Sequence, residues 1–153
     1  MKNKTILLVE DNPVNIALAR ILIKKILPEV TLIEAVNGKI AVEKFISDRP
    51  HLIFMDVQMP EMNGYDATKE IRKIEIADFR LPNADLQSPQ SKIENRQSKI
   101  RIPIIALTAG TVKGEKEKCL EAGMDDYISK PIVGGALEAV IEKWLFKNSS
   151  NVE

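Results

Sequence analysis

Four short apolar runs each stop at a residue able to do chemistry. Ile6-Leu7-Leu8-Val9 ends on Glu10 and Asp11, Leu52-Ile53-Phe54-Met55 on Asp56, Ile104-Ile105-Ala106-Leu107 on Thr108, and the shorter Tyr127-Ile128-Ser129 on Lys130-Pro131. Runs of this length read as buried strands, and the segments between them carry helical spacing. A first helix opens at Pro13, a residue suited to the first helical position, with Val14, Leu18, Ile21, Leu22 and Ile26 as its expected buried stripe. A strand over 31–35 follows, then an Asn37-Gly38 turn into a helix whose faces are set by Ile40, Ala41, Lys44 and Phe45. The strand over 52–55 leads to a helix from about Tyr65 to Ile74, and the strand over 104–107 to a helix near 113–121 that Gly123 ends. After a strand near 127–129, Leu137, Val140, Ile141, Trp144 and Leu145 form a helical stripe. Strand and helix thus alternate five times, which predicts an α/β fold with a parallel sheet.

One stretch departs from this rhythm. Residues 76–101 are polar, with Pro82, Pro89 and many Ser, Gln and Asn, where such connections usually take about 2–6 residues. Within it Gln90-Ser91-Lys92-Ile93 recurs as Gln97-Ser98-Lys99-Ile100. It reads either as a mobile insertion with a local duplication or as a short docking helix, at the end of the sheet away from the acids. The expected organisation is one domain over 1–147 carrying this insertion, with a frayed polar tail at 148–153.

Composition narrows the function classes. Lysine and arginine balance aspartate and glutamate at 22 each, so no net charge draws the chain to nucleic acid or to an anionic membrane. The single cysteine, Cys119, excludes an intrachain disulfide and a multi-cysteine zinc site, in keeping with a reducing cytoplasm. No stretch approaches the ~20 apolar residues of a membrane span, and the apolar run near the amino terminus is too short for a signal peptide.

In an open parallel sheet, ligands bind beyond the carboxyl ends of the strands. There the pattern gathers Glu10, Asp11, Asp56, Thr108 and Lys130. Carboxylates ~4 Å apart repel by roughly 4 kcal/mol at an effective dielectric of ~20, so the cluster needs a cation. Magnesium takes one or two carboxylates and phosphate oxygens while keeping waters, and manganese can substitute. Asp11 and Asp56 are the expected direct ligands, with Glu10 direct or acting through water and the Gln58 backbone carbonyl completing the set. Asp56 is the expected phosphoryl acceptor. Lys130 supplies a positive charge for a phosphoryl oxygen, and the Thr108 hydroxyl and Ala109 N–H can hydrogen-bond the others.

The segments Leu7-Leu8-Val9-Glu10-Asp11-Asn12, Met55-Asp56-Val57-Gln58-Met59-Pro60-Glu61-Met62-Asn63-Gly64, Ala106-Leu107-Thr108-Ala109 and Ser129-Lys130-Pro131 resemble the receiver domain of two-component response regulators. The likeness spans roughly 4–146, and Glu10-Asp11-Asn12-Pro13-Val14-Asn15 with Met124 to Pro131 is most similar to receivers of hybrid sensor histidine kinases. The resemblance implies a flavodoxin-like (βα)5 three-layer sandwich with strand order 2-1-3-4-5. It also implies that Asp56 takes a phosphoryl group from a histidine on a kinase or histidine-phosphotransfer protein. It casts Thr108 as switch hydroxyl, Tyr127 as switch aromatic, and Gln58 and Gly110 as positions that tune dephosphorylation. The readout surface would be helix four, strand five and helix five. The chain is then a signalling module rather than a turnover enzyme, in the cytoplasm or on the cytoplasmic side of a membrane-bound kinase, stand-alone or cut from a hybrid kinase.

Blander roles stand beside these. Asn63-Gly64 is a turn in any protein, His51 a capping or surface residue, Cys119 a packing residue, and Tyr127 could be ordinary core. Trp144 is expected far from Asp56. Competing functions are a docking-only pseudo-receiver, a haloacid-dehalogenase-like phosphatase and a flavin binder. The phosphatase reading lacks its second acid, since Gln58 stands there, and acids rather than a phosphate cradle follow the first strand.

Overall fold

The computed structural model describes residues 4–59, 61–79, 101–109 and 114–147. In chain order the elements are β1 (Thr5–Val9), α1 (Pro13–Ile26), β2 (Thr31–Ala35), α2 (Gly38–Asp48), β3 (Leu52–Asp56), α3 (Gly64–Phe79), β4 (Ile104–Thr108), α4 (Glu115–Ala122), β5 (Asp126–Ser129) and α5 (Gly134–Ile141), the last continued by wider π-helical turns over Glu142–Lys147. The strands form one parallel sheet in the order β2-β1-β3-β4-β5, as expected.

The near-continuous apolar strands follow from burial on both faces. Ile6, Leu8, Leu52, Phe54, Ile105 and Leu107 point to one layer, where they meet Ile16, Ala19 and Ile23 of α1 and Leu137 and Ile141 of α5. Their neighbours Leu7, Val9, Ile53, Met55, Ile104 and Ala106 point to the other, against Ala41 and Phe45 of α2, Ala67 and Ile71 of α3, and Cys119 of α4. Cys119 is thus a packing residue, and Leu137, Ile141 and Leu145 carry the expected stripe of the last helix.

Two expectations need correction. The buried stripe of α1 is Ile16, Ala19 and Ile23, with Leu22 and Ile26 partly buried. Val14, Leu18 and Ile21 are 74%, 40% and 63% exposed. Both sets satisfy helical spacing, so periodicity cannot tell which stripe faces the sheet. Second, α3 runs on to Phe79, so positions 76–79 are helix rather than the start of an insertion. The repeat at 90–100 lies outside the described residues, as do the tail at 148–153 and position 113.

A buried ionic cluster explains the longer α3. Arg72 donates to Glu75 Oε1 (2.9 Å), Asp125 Oδ2 (2.8 Å) and the carbonyls of Gly123 and Ile102 (both 2.9 Å). Glu75 Oε2 accepts the Ile102 N–H at 2.8 Å, and Asp125 Oδ2 the Ile104 N–H at 2.9 Å. Arg101 adds a 2.8 Å bond to Asp125 Oδ1. The cluster fastens the last turns of α3 to the amino ends of β4 and β5, at the end of the sheet away from Asp56. Burial pushes the Glu75 carboxyl above its ordinary range, against the pull of Arg72 and the Ile102 N–H. Gly123 ends α4 as expected, at φ 107°, and a side chain there would also crowd Arg72.

Breaking a buried ion pair leaves its partners desolvated and uncompensated, at about 3–5 kcal/mol. Arg72→Met should therefore lower unfolding free energy by about 3 kcal/mol, read as a reduced urea midpoint at unchanged slope.

Candidate functional site

Strands with no room for charge on either face deliver their polar residues at the carboxyl ends. Glu10 follows β1 and is 1% exposed, its N–H still bonded to Ala35 O at 3.0 Å. Asp56 is the last residue of β3 and 3% exposed. Asp11 is exposed at the mouth, and oxygens of Glu10, Asp11 and Asp56 lie within 4.8 Å of one another. Lys130, just past β5, sets its Nζ 3.1 Å from both Glu10 Oε1 and Asp56 Oδ1. The backbone here also holds Lys130, whose N–H bonds Thr108 O at 2.7 Å, and the Lys130–Pro131 peptide bond is cis. A cleft of about 200 Å³ opens over these groups, with Gln58 and Ala109 on its wall.

The loop after Asp56 is shaped from behind. Gly64 N–H bonds Val57 O at 3.2 Å, and a Cβ on Gly64 would collide with the Asp56 carbonyl, so only glycine permits this approach. Asn63 Oδ1 accepts the Asp66 N–H at 2.8 Å and starts α3. The Gln58 N–H points back at Asp56 Oδ1, 3.3 Å away.

The electrostatics are unbalanced. Burial raises the Asp56 carboxyl to about 6 from 3.8, and the negative charge of Glu10 adds to the rise, while Lys130 and the Gln58 N–H oppose it. For Lys130, burial works to lower the pKa, but Asp56 and Glu10 outweigh it and hold the ammonium above its ordinary value. Glu10 Oε1 is close to Lys130 yet outside hydrogen-bond geometry, so this buried oxygen has no hydrogen-bond partner. Three acids sharing one ammonium, with a buried Glu10 oxygen that takes no hydrogen bond and has only that ion pair, fit a hard divalent cation with oxygen ligands.

The expected residues are not all brought together. Glu10, Asp11, Asp56, Gln58, Ala109 and Lys130 line the cleft. Thr108 closes β4 at 1% exposure and does not line it. Tyr127 is 40% exposed on a separate groove with Val133, Ala136 and Val140, so it is not core here. Gly110 lies outside the described residues. His51 sits at the opposite end of the sheet, its Nδ1 accepting the Thr5 N–H at 3.0 Å. Trp144 donates its indole N–H to Asp126 Oδ2 at 2.9 Å, at the amino end of β5, whereas Lys130 follows the carboxyl end of that strand.

Two residues escaped the sequence reading. Asn12 caps α1, its Oδ1 accepting the N–H groups of Val14 (2.8 Å) and Asn15 (3.2 Å). Its own N–H and the Asn15 amide both donate to Glu10 Oε2, at 3.2 and 3.3 Å. The cap was legible from asparagine before Pro13; the amide contact was not.

A raised native pKa means that the folded chain holds its proton more tightly than the unfolded one. Stability should then fall as pH rises from about 4 to 6, with the full penalty above 6. In chelator, Asp56→Asn should raise stability at pH 7 by roughly 1–3 kcal/mol, a gain that disappears near pH 4. Thermal unfolding across that range measures it.

The family model for the response regulator receiver domain matches residues 6–78. Probable histidine kinase 6 of Oryza sativa subsp. japonica is 39% identical over 84% of the chain, and the aerobic respiration control sensor protein ArcB of Escherichia coli is 36% identical over 91%. The chain spans 13% and 15% of the lengths of these relatives. Among solved structures, the receiver domain of the Pseudomonas aeruginosa sensor histidine kinase PA1611, with magnesium in its active-site cleft, superposes with TM-score 0.70 at 32% identity, covering 94% of this chain and 98% of that one. The receiver domain of Saccharomyces cerevisiae Ssk1, crystallised with the histidine phosphotransfer protein Ypd1, gives 0.72 at 32% identity, covering 93% and 88%.

Proposed function

The chain belongs to the response regulator receiver domain family of two-component phosphorelays, and on that premise we propose that it accepts a phosphoryl group on Asp56 from a phosphohistidine of a partner protein. The observation that carries this reading is the buried Asp56 carboxylate at the floor of an acid cleft, bridged by Lys130 to Glu10. Asp56 Oδ1 is held by Lys130 and the Gln58 N–H, which leaves Oδ2 to attack phosphorus while the phosphorus–nitrogen bond breaks and the histidine leaves. Glu10, Asp11, Asp56 and the Gln58 carbonyl would hold magnesium, which neutralises charge on the incoming phosphoryl oxygens. Lys130 stabilises one of those oxygens, the Ala109 N–H binds another, and the Thr108 hydroxyl, outside the cleft lining here, moves in toward the phosphoryl group to bind the third. Thr108 and Tyr127 act as the switch: Tyr127 is turned out here, and occupation of Asp56 draws it inward and remodels the face of α4, β5 and α5. Gln58, exposed on the cleft wall, and Gly110 tune hydrolysis of the acyl phosphate.

The partner's approach is marked by the exposed face of α1. Val14, Leu18 and Ile21 follow directly from Asn12 and Asn15, which line the cleft. An apolar stripe at helical spacing suits a helical partner surface that presents its histidine to Asp56. Among the described residues no helix is long and apolar enough to cross a membrane.

Incubation with acetyl phosphate should add one phosphate by intact mass, and both magnesium removal and Asp56→Asn should abolish the gain. Absence of both an adduct and beryllofluoride binding would move the chain to a docking-only role. Leu18→Glu should slow transfer from a phosphohistidine donor at least about tenfold, the scale of a lost interface anchor, and leave labelling by acetyl phosphate unchanged.

A further inference from the structure

Glu10 is the one buried acid of the cleft besides Asp56, and its side chain has enough rotamer freedom to point elsewhere. What aims it is visible. Its Oε2 takes two donors from the start of α1, the Asn12 N–H at 3.2 Å and the Asn15 amide at 3.3 Å. That arrangement turns Oε1 inward, 3.1 Å from Lys130 Nζ and without a hydrogen bond of its own. The Asn12 donor is backbone and its side chain is committed to the helix cap. Asn15 is therefore the side chain at this end of α1 free to orient Glu10, and it is itself half-buried in the cleft wall. It is also neutral. Lys130 reaches Glu10 as well, but a positive charge competes with a cation, whereas an amide donor fixes the carboxylate and leaves its charge available.

We propose that Asn15 is a positioning residue that presents Glu10 Oε1 to a divalent cation in the cleft. This deepens the phosphoryl-acceptor reading and rests on it. Hydrogen-bonding partners that orient metal-binding groups typically contribute about 10–100-fold to metal affinity. Because the Asn12 N–H remains in place, the loss here falls at or below the lower end of that range.

The test is magnesium titration by calorimetry at neutral pH on the wild type, Asn15→Ala, Glu10→Gln and the double variant. Asn15→Ala should weaken magnesium binding about three- to tenfold, and Asn15→Ser, whose hydroxyl is too short to reach, should behave the same way. In the Glu10→Gln background the alanine change should add almost nothing, because the groups act as one unit. Neither alanine nor serine is a poorer helix former than asparagine, and the Asn12 cap is untouched, so both variants should unfold cooperatively in chelator. An equal loss in both backgrounds, or no loss in either, overturns the positioning role. If wild-type affinity persists in Asn15→Ala while acetyl phosphate still labels Asp56, only the proposal about Asn15 fails. A wild type that binds no magnesium and takes no phosphate removes the underlying reading as well.

Discussion

The central strands are buried on both faces, and that constraint governs where charge can stand. Every residue of β3 and β4 lies in the core, including Asp56 and Thr108 at their last positions. Within such strands a charged side chain would meet apolar layers above and below, at a cost of several kcal/mol. At the carboxyl end the layers part, and polar groups can share solvent, backbone donors and one another. Parallel pairing in one direction then collects the ends of β1, β3, β4 and β5 at the same rim. The cleft is a consequence of sheet direction before it is a feature of any one residue.

At that rim the balance of charge is deliberately incomplete. Two buried carboxylates, Glu10 and Asp56, face one ammonium, Lys130, with Asp11 adding a further negative charge at the mouth. Burial first and the Glu10 charge second hold the Asp56 carboxyl up, and both acids share the one Lys130 ammonium, 3.1 Å from an oxygen of each. A fully satisfied network would have no remaining affinity for a cation or an incoming phosphoryl group. The residual tension makes the fold less stable when empty and more receptive when filled.

The other end of the sheet is built the opposite way. Around Arg72, Glu75 and Asp125 nearly every donor and acceptor has a partner, including the N–H groups of Ile102 and Ile104. Those bonds hold the end of α3 against the starts of β4 and β5, and so hold the chain on either side of positions 80–100. One pole is satisfied and structural, the other strained by like charge and chemical. Between them β5 carries Asp126 and Tyr127, with the Trp144 indole tied to Asp126, so the last helix is joined to the strand that bears the exposed aromatic.

Alternation of apolar runs with helical spacing was enough to name every strand, the α/β class and the acids at the strand ends, because a two-sided core imposes that pattern on any chain that folds so. Sheet order came from the likeness of motifs, since strand runs carry no record of their neighbours. The face of α1 was misassigned because two apolar stripes, Ile16-Ala19-Ile23 and Val14-Leu18-Ile21, share one helix, and only packing against the sheet chooses between them. The Arg72 cluster joins residues up to 53 positions apart, and the Asn15 contact depends on the angle at which α1 leaves the cleft. Neither distance is written in local periodicity. By itself the sequence determined which residues are apolar, which are acidic and in what order they come. Tertiary structure decided which of them touch, because contact depends on the relative placement of elements that no single segment encodes.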